Sequence, residues 1–538
     1  MTEIHLPKQD AAGEEGPFGL ADASRSLEAA DFVAFEGFSG IATRDDDLRA
    51  RVIVGRKGAG KTLYLRRARA AASENSSVYA DNIQQNLPST TDIVSVANLY
   101  SMEILVEKWM SIWRAAILRS VASHMLNNKN LRGYVDDEQR RSLREDFPAV
   151  MLDAAKSKTP LSVYSQVSEL ISPHRDKSGS LDRLLSHRQW EELEYRVGEL
   201  LIDMPPFCLY LDAVDEEFRH APAYWLMCQK GLFYQVMRLL RDTRLGGRLH
   251  IFICIRDLTY TSVFGSEHAT RYLDPLHIRL LEWDSDSISY LFEQKIARLG
   301  WPGVPRSANV AEWLGIDSIH NERRGHHEAT AAYVLRHTRL LPRDVVVLGN
   351  ELVARMMRRG QRRQLTGKDV RQVVRTCARV FGGEQLAVCA NQIASDMMHA
   401  GAGLQEVADL YTGSDPDFEG AQIYIDDKRK RLGDLIKSVG CDRFDRDSFL
   451  RLRERGRAMY GGRTDPLAVL WQNGLLGIEP RDLPDGRAVF YSASAHHELW
   501  IDDAAPRYAF HPCLIDALNL TSEGPGSVPV TPVSFDEI

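Results

Sequence analysis

Eight residues, Gly55-Arg56-Lys57-Gly58-Ala59-Gly60-Lys61-Thr62, place three glycines, a lysine and a hydroxyl at a spacing suited to gripping a polyphosphate. An apolar run, Val52–Gly55, leads into them, and a stretch of helical character, 63–72, follows directly. The glycines allow successive backbone N–H groups to turn inward at a helix N-terminus, where donors and dipole both favour anions. Lys61 would then reach the β- and γ-phosphates of a nucleotide, and the Thr62 hydroxyl would ligate Mg²⁺. The whole octet is expected to line the nucleotide, with Thr62 also a metal ligand.

Such a loop needs an acidic partner at the end of another strand. The apolar run Phe207–Leu211 supplies it, ending in Asp212 with Asp215 and Glu216 close behind. Asp212 is expected to hold the magnesium ion through water. Asp215 or Glu216 would orient the attacking water or accept its proton, while Glu217 reads as the solvated start of a helix. A third apolar run, 250–255, ends in Arg256, placed to sense a terminal phosphate if its strand lies beside the loop. Arg343, just after Pro342 at the start of another helical run, can face an interdomain cleft and touch nucleotide. The expected catalytic set is Asp215, Glu216 and Arg256, with Arg343 added to the nucleotide contacts.

The elements that must position these groups follow from periodicity. Residues 50–280 alternate short β-branched or aromatic runs with helical segments, which predicts an α/β sheet with crossover helices. Residues 97–202 form a long helical insertion ahead of Phe207. From 285 to 426 the pattern is helical almost throughout; from 444 a helix-rich stretch ends in a hairpin-like region, 488–494 with 497–501, followed by 508–518. The expected organisation is a disordered arm (1–30), an α/β core (31–283), a helical lid or linker (284–440), a winged-helix-like domain (441–520) and a disordered tail (521–538). No repeat of 20–50 residues is visible, which disfavours a solenoid.

Composition excludes several classes. With 538 residues, 44% hydrophobic and 26% charged, the chain is neither disordered nor fibrous. A net charge of −7 argues against a wholly basic nucleic-acid coat protein. No apolar run approaches the roughly 18–20 residues of a membrane span, and no basic stretch precedes an apolar one at the N-terminus. Seven cysteines without Cys-x-x-Cys spacing read as reduced thiols of a cytoplasmic protein.

Taken together, the octet 55–62, the D-x-x-D-E of 212–216, the strand-terminal Arg256, the segment ending in Trp283 and the Pro342-Arg343-Asp344 turn resemble bacterial P-loop ATPases of the STAND/AAA+ superfamily, in the style of KAP and NACHT proteins. The resemblance runs over 30–350 and more loosely to the Tyr508–Leu518 stretch. It implies ATP as the nucleotide, a P-loop NTPase core, a helical lid and a winged-helix-like domain. Neither a fused effector nor a sensor repeat array is visible, so it also implies a separate protein effector or self-association. The expected function is an ATP-hydrolysing switch in which nucleotide clamps the lid through Arg256 and Arg343; a place in antiphage defence rests on the resemblance alone.

The alternative is a DNA-binding ATPase. Residues 355–379 hold nine basic residues against one acid, Asp369, and Arg371, Arg375 and Arg379 share one helical stripe. No interleaved aromatics offer base stacking, and the bland reading is a lid helix paired with acidic neighbours. His326-His327-Glu328 and His496-His497-Glu498 are adjacent residues that do not share a face, so they read as surface groups rather than metal ligands. Trp109 and Trp113, four apart, read as a buried stripe.

Overall fold

Strands β1 (Val52–Gly55), β2 (Tyr79–Gln84), β3 (Phe207–Leu211), β4 (Leu249–Arg256) and β5 (Ile278–Leu281) form one sheet in the order β2-β3-β4-β1-β5. All four pairings are parallel. Parallel sheets are covered on both faces, which explains why β1, β3 and β4 read as near-continuous apolar runs. Every residue of these three strands is buried. The chain is described here from a computed structural model covering residues 16–19, 51–75, 77–84, 88–175, 177–212, 222–245, 247–264, 277–299, 306–307, 309–322, 325–359, 365–399, 418–461, 464–480, 488–491 and 500–521.

Alternate strand residues serve two cores. Val52, Val54, Leu209, Leu211, Ile251 and Ile253 face the insertion helices, while Ile53, Cys208, Tyr210, Phe252 and Cys254 face helix α1 (Lys61–Ser73) through Tyr64 and Leu65. The long insertion helix α2 (Met102–Asn127) packs along α3 (Pro222–Arg241), with Trp109 and Trp113 buried and Trp113 donating to the Cys228 carbonyl at 3.0 Å. The insertion's expected start at 97 falls inside a separate helix, Thr90–Leu99, and extended Tyr100 breaks the run before α2.

After helix α4 (Asp257–Phe264) and β5 come α5 (Ser285–Ala297), α6 (Pro342–Arg359), the 33-residue α7 (Gly367–His399) and α8 (Phe418–Lys437). Among the described residues of 285–426, helix gives way where β6 (Ser318–Asn321) and β7 (His326–Ala329) form an antiparallel hairpin. Its residues are mostly polar, and its inward side carries Ile319, Asn321 and Glu328, too few apolar positions to mark a strand.

The C-terminal part sets β8 (Arg443–Asp445), α9 (Arg446–Met459), α10 (Pro466–Gln472), β9 (Leu476–Glu479), β10 (Val489–Phe490), β11 (Arg507–Phe510) and α11 (Pro512–Leu518) into an antiparallel sheet ordered β10-β9-β11-β8. The expected hairpin, 488–494 with 497–501, falls largely on residues 492–499, which lie outside the described residues; within them β10 pairs with β9. The expected run 508–518 divides into β11 and α11 at His511. A single apolar cluster runs from Ile288 through Phe381 and Leu435 to Phe449, Trp471 and Leu514, so the helices α5–α8 and the C-terminal sheet share one core.

Two expectations at the chain ends change. Within the arm expected over 1–30, residues 16–19 are packed, with Phe18 buried; the rest of that stretch lies outside the described residues. Thr521 bridges to Cys441, and the tail beyond it is likewise outside. All seven cysteines are free thiols, six of them buried. Among the described residues no helix is long and apolar enough to cross a membrane.

Candidate nucleotide site

The loop between β1 and α1 turns on two left-handed residues, Gly58 (φ +92°) and Gly60 (φ +96°), a conformation that side chains resist. Helix α1 starts at Lys61 with Gly60 as its N-cap, so the first-turn N–H groups open at the end of a buried strand. The Lys61 ammonium lies along the inside of the loop, donating to the carbonyls of Gly55 at 2.9 Å and Arg56 at 3.1 Å. Its neighbour Thr62 donates its hydroxyl proton to Asp212 Oδ2 at 2.7 Å.

Asp212 follows β3 directly and is almost wholly buried. Its N–H donates to the Gln84 carbonyl at 2.9 Å, and its own carbonyl accepts the Tyr164 hydroxyl at 3.0 Å. Tyr164 comes from the insertion, on the helix Val163–Ile171, whose first amide is taken by Gln84 Oε1. Burial beside Asp212 drives the Tyr164 phenol well above its ordinary range, so it stays a proton donor. The other end of the Gln84 amide bonds Asp81. Burial opposes ionisation of Asp81, but hydrogen bonds and charge from His124, together with Gln84, hold its carboxyl below the usual value.

Arg256 ends β4 opposite Gly55 in the β1–β4 register, buried beside the loop. Arg343 lies against the loop's outer turn: its N–H donates to the Gly58 carbonyl at 3.3 Å and its guanidinium is 3.7 Å from Glu384 on α7. Ala59 is buried under the loop, and its carbonyl accepts the Trp283 indole N–H at 3.0 Å. The structure thus brings Gly55, Gly58, Ala59, Gly60, Lys61, Thr62, Asp212, Arg256 and Arg343 together. Lys57 is half-buried in the same turn.

Arg56 behaves differently. Its guanidinium turns to the C-terminal sheet, donating to the Tyr491 carbonyl at 3.0 Å, with Asp257 at 3.5 Å. That leaves the Arg56 backbone, rather than its guanidinium, facing the loop interior, where its carbonyl accepts from Lys61. Asp215 and Glu216 lie outside the described residues. Tyr164, Gln84 and Asp257 were missed as neighbours of the site. Only the apolar–polar break before Asp257 was available as a signal, and the Tyr164 and Gln84 contacts are long-range.

The weaker constellations find ordinary partners. Arg371 and Arg375 pair with Glu322 at 2.9 and 3.2 Å, Arg355 with Asp369 at 3.0 Å, and Arg379 donates to the Asp516 carbonyl. His326 and Arg336 both face Glu328 on the β6–β7 hairpin, and no cluster of metal-ligating side chains occurs among the described residues. His496-His497-Glu498 lies outside them. No protein-family model matches the chain, and no curated protein matches its sequence.

Proposed function

We propose that this protein binds ATP with Mg²⁺ and hydrolyses it as a cytoplasmic molecular switch of STAND/AAA+ type. The observation that carries the reading is the Thr62–Asp212 hydrogen bond. Two oxygen groups of the kind magnesium prefers, one from the first turn of α1 and one from the end of β3, meet beside the β1–α1 loop. Thr62 and Asp212 would hold the ion, which when bound would neutralise charge on the phosphate oxygens.

The chain's own groups would do the rest by positioning and electrostatics. Lys61 would exchange its loop carbonyls for phosphate oxygens, and Arg256 would face the terminal phosphate. Asp215 or Glu216 would orient water. Arg343 would tie the lid to the nucleotide, and hydrolysis would release that tie. The order of α8, β8, α9, α10 and the antiparallel strands supports a winged-helix-like end, and the parallel sheet with its loop after β1 supports a P-loop core. An effector partner, or self-association, would read the lid's state. DNA binding draws less support, because Arg355, Arg371, Arg375 and Arg379 already face acceptors within the fold.

Lys61→Ala tests the core of this reading. A folded Lys61→Ala protein should show no ATP turnover and weakened binding of a fluorescent ATP analogue. Unchanged binding and turnover would mean that the loop holds no nucleotide.

A further inference from the structure

The Gly16-Pro17-Phe18-Gly19 segment forms a tight turn, with the Gly19 N–H donating to the Gly16 carbonyl at 2.8 Å and Gly19 at φ +87°. It docks between helices of the lid. The Phe18 ring packs against Phe292 of α5 and Trp313 of the helix Val310–Leu314, at centroid distances of 5.6 and 5.5 Å. Phe292 and Trp313 meet edge-on behind it, 6.0 Å apart. The ring is 2% exposed.

The lid reads the turn's backbone as well as its ring. Asn350 of α6 accepts from the Phe18 N–H at 2.9 Å and donates to the Gly19 carbonyl at 3.1 Å. Lys295 of α5 donates to the Phe18 carbonyl at 3.0 Å. Two glycines make room. A Cβ at Gly349 would sit 2.5 Å from the Phe18 ring, and one at Gly16 would sit 2.6 Å from the Asn350 amide. Glycine inside a helix such as α6 costs about 1 kcal/mol relative to alanine, and here its place is explained by the aromatic ring lying flat on the helix.

From this combination we propose that the lid carries a specific docking pocket for a Gly-Pro-Phe-Gly turn, and that the chain's own N-terminal segment is its resident occupant, acting as a detachable strap across α5 and α6. An aromatic anchor, a side-chain amide pairing with both an N–H and a carbonyl, and space reserved by glycine are features of peptide recognition rather than of generic core packing. The turn and its pocket belong to one chain, so the docking is an intramolecular binding step with a high effective concentration. Because α6 begins at the Arg343 turn, the strap also braces the helix that touches the phosphate loop. The docking itself does not rest on the nucleotide reading.

The test uses the full-length chain and a synthetic peptide spanning residues 12–22. In wild type the tethered strap should exclude the peptide. Phe18→Ala empties the anchor, so that protein should bind the peptide saturably, while the same peptide with alanine at the phenylalanine position should bind at least tenfold more weakly. Adding Gly349→Ala to Phe18→Ala should abolish binding by closing the floor of the pocket. Hydrogen exchange at Phe18 and Gly19 should accelerate more than tenfold in wild type carrying Gly349→Ala alone. Should Phe18→Ala fail to fold, Phe18→Leu gives the milder comparison. Equal peptide binding to wild type and the Phe18 variant, or no saturable binding to a folded Phe18 variant, would overturn the proposal, as would unchanged exchange at Phe18 in the Gly349→Ala protein.

Discussion

Arg343 rests directly on Gly58. Its N–H donates to the Gly58 carbonyl across 3.3 Å, and a Cβ placed on Gly58 would approach the Arg343 Cβ to 3.0 Å. The approach is fixed by an unusual turn just ahead of α6. Leu340 adopts φ +51°, rare for a branched residue, while the Arg339 guanidinium grips both oxygens of Asp344 at 2.6 and 2.8 Å. Leu341 joins the apolar cluster beneath the loop that holds Ala59 and Tyr64. A strained residue held in place by so many contacts points to a turn whose position matters more than its local energy.

Gly58→Ala should therefore act twice, through backbone strain at φ +92° and through collision with Arg343. Strain of this kind costs roughly 1–3 kcal/mol, which corresponds to a loss of nucleotide affinity of about one to two decades if the loop must keep its shape to bind. Titration with a fluorescent nucleotide, with circular dichroism as the check on folding, decides it. Wild-type affinity in the alanine protein would mean that this turn does not touch the ligand.

Asp212→Asn and Glu216→Gln should differ in kind. Asp212→Asn keeps an oxygen that can accept from the Thr62 hydroxyl but removes the negative charge, and should impair Mg²⁺-dependent binding. Glu216→Gln should leave a tight ATP complex with little turnover, as expected when only the base is lost. Normal hydrolysis by Glu216→Gln would move the role to Asp215. Normal hydrolysis by both variants would remove the strand's catalytic assignment.

What could be read from the sequence was local. The run into Gly55, the octet and the run ending at Asp212 each announce themselves within a dozen residues, because a buried parallel strand must be apolar on both sides and a phosphate loop must contain glycine. What escaped depends on chain segments far apart. Arg56 bonds the carbonyl of Tyr491, Tyr164 reaches Asp212 from the insertion, and Phe18 packs on Phe292. Nothing near any of these residues records its partner. The β6–β7 hairpin was hidden for another reason. Its buried face holds Asn321 and Glu328, whose hydrogen bond replaces the apolar alternation by which strands are recognised.

Acid should weaken the fold through two buried imidazoles. His250 is depressed to about 3 by burial and by the nearby Arg51 and Arg248. His511 is depressed to about 3 by burial and by Arg339 and Arg56, with Asp344 opposing. Both folded values lie below the unfolded value near 6.5, so the unfolded chain binds more protons below that pH. Their contribution is fully present above about pH 6.5 and is lost progressively as pH falls towards 3, by about 1.4 kcal/mol per pH unit for each histidine. His511→Asn preserves a side-chain acceptor at the N-cap of α11 and should flatten the pH dependence of the urea midpoint between pH 7 and 5. An unchanged slope would mean that His511 is not kept neutral by the fold.

The final prediction separates a nucleotide sensor from a structural arginine at position 343. A switch requires a group that treats ATP and ADP differently, since a ligand moves two states apart only by its differential affinity for them. Among the described residues the Arg343 guanidinium faces the Glu384 carboxylate, at 3.7 Å and with both side chains partly exposed, an arrangement worth little in water. Asp344 is engaged instead by Arg339, so Arg343 is not needed to hold it. Arg343→Ala should thus leave thermal stability nearly unchanged. A lost charge-assisted hydrogen bond to a γ-phosphate costs roughly 1.5–3 kcal/mol, so ATP affinity should fall by about one to two decades while ADP affinity moves much less. Glu384→Gln serves as the control, because it removes the protein partner and keeps the cation, and it should leave or slightly strengthen ATP binding. Calorimetry of both nucleotides on both variants reads the difference directly. Parallel losses for ATP and ADP in Arg343→Ala, accompanied by a lower melting temperature, would make Arg343 a brace for the turn on Gly58 and end its role as a sensor.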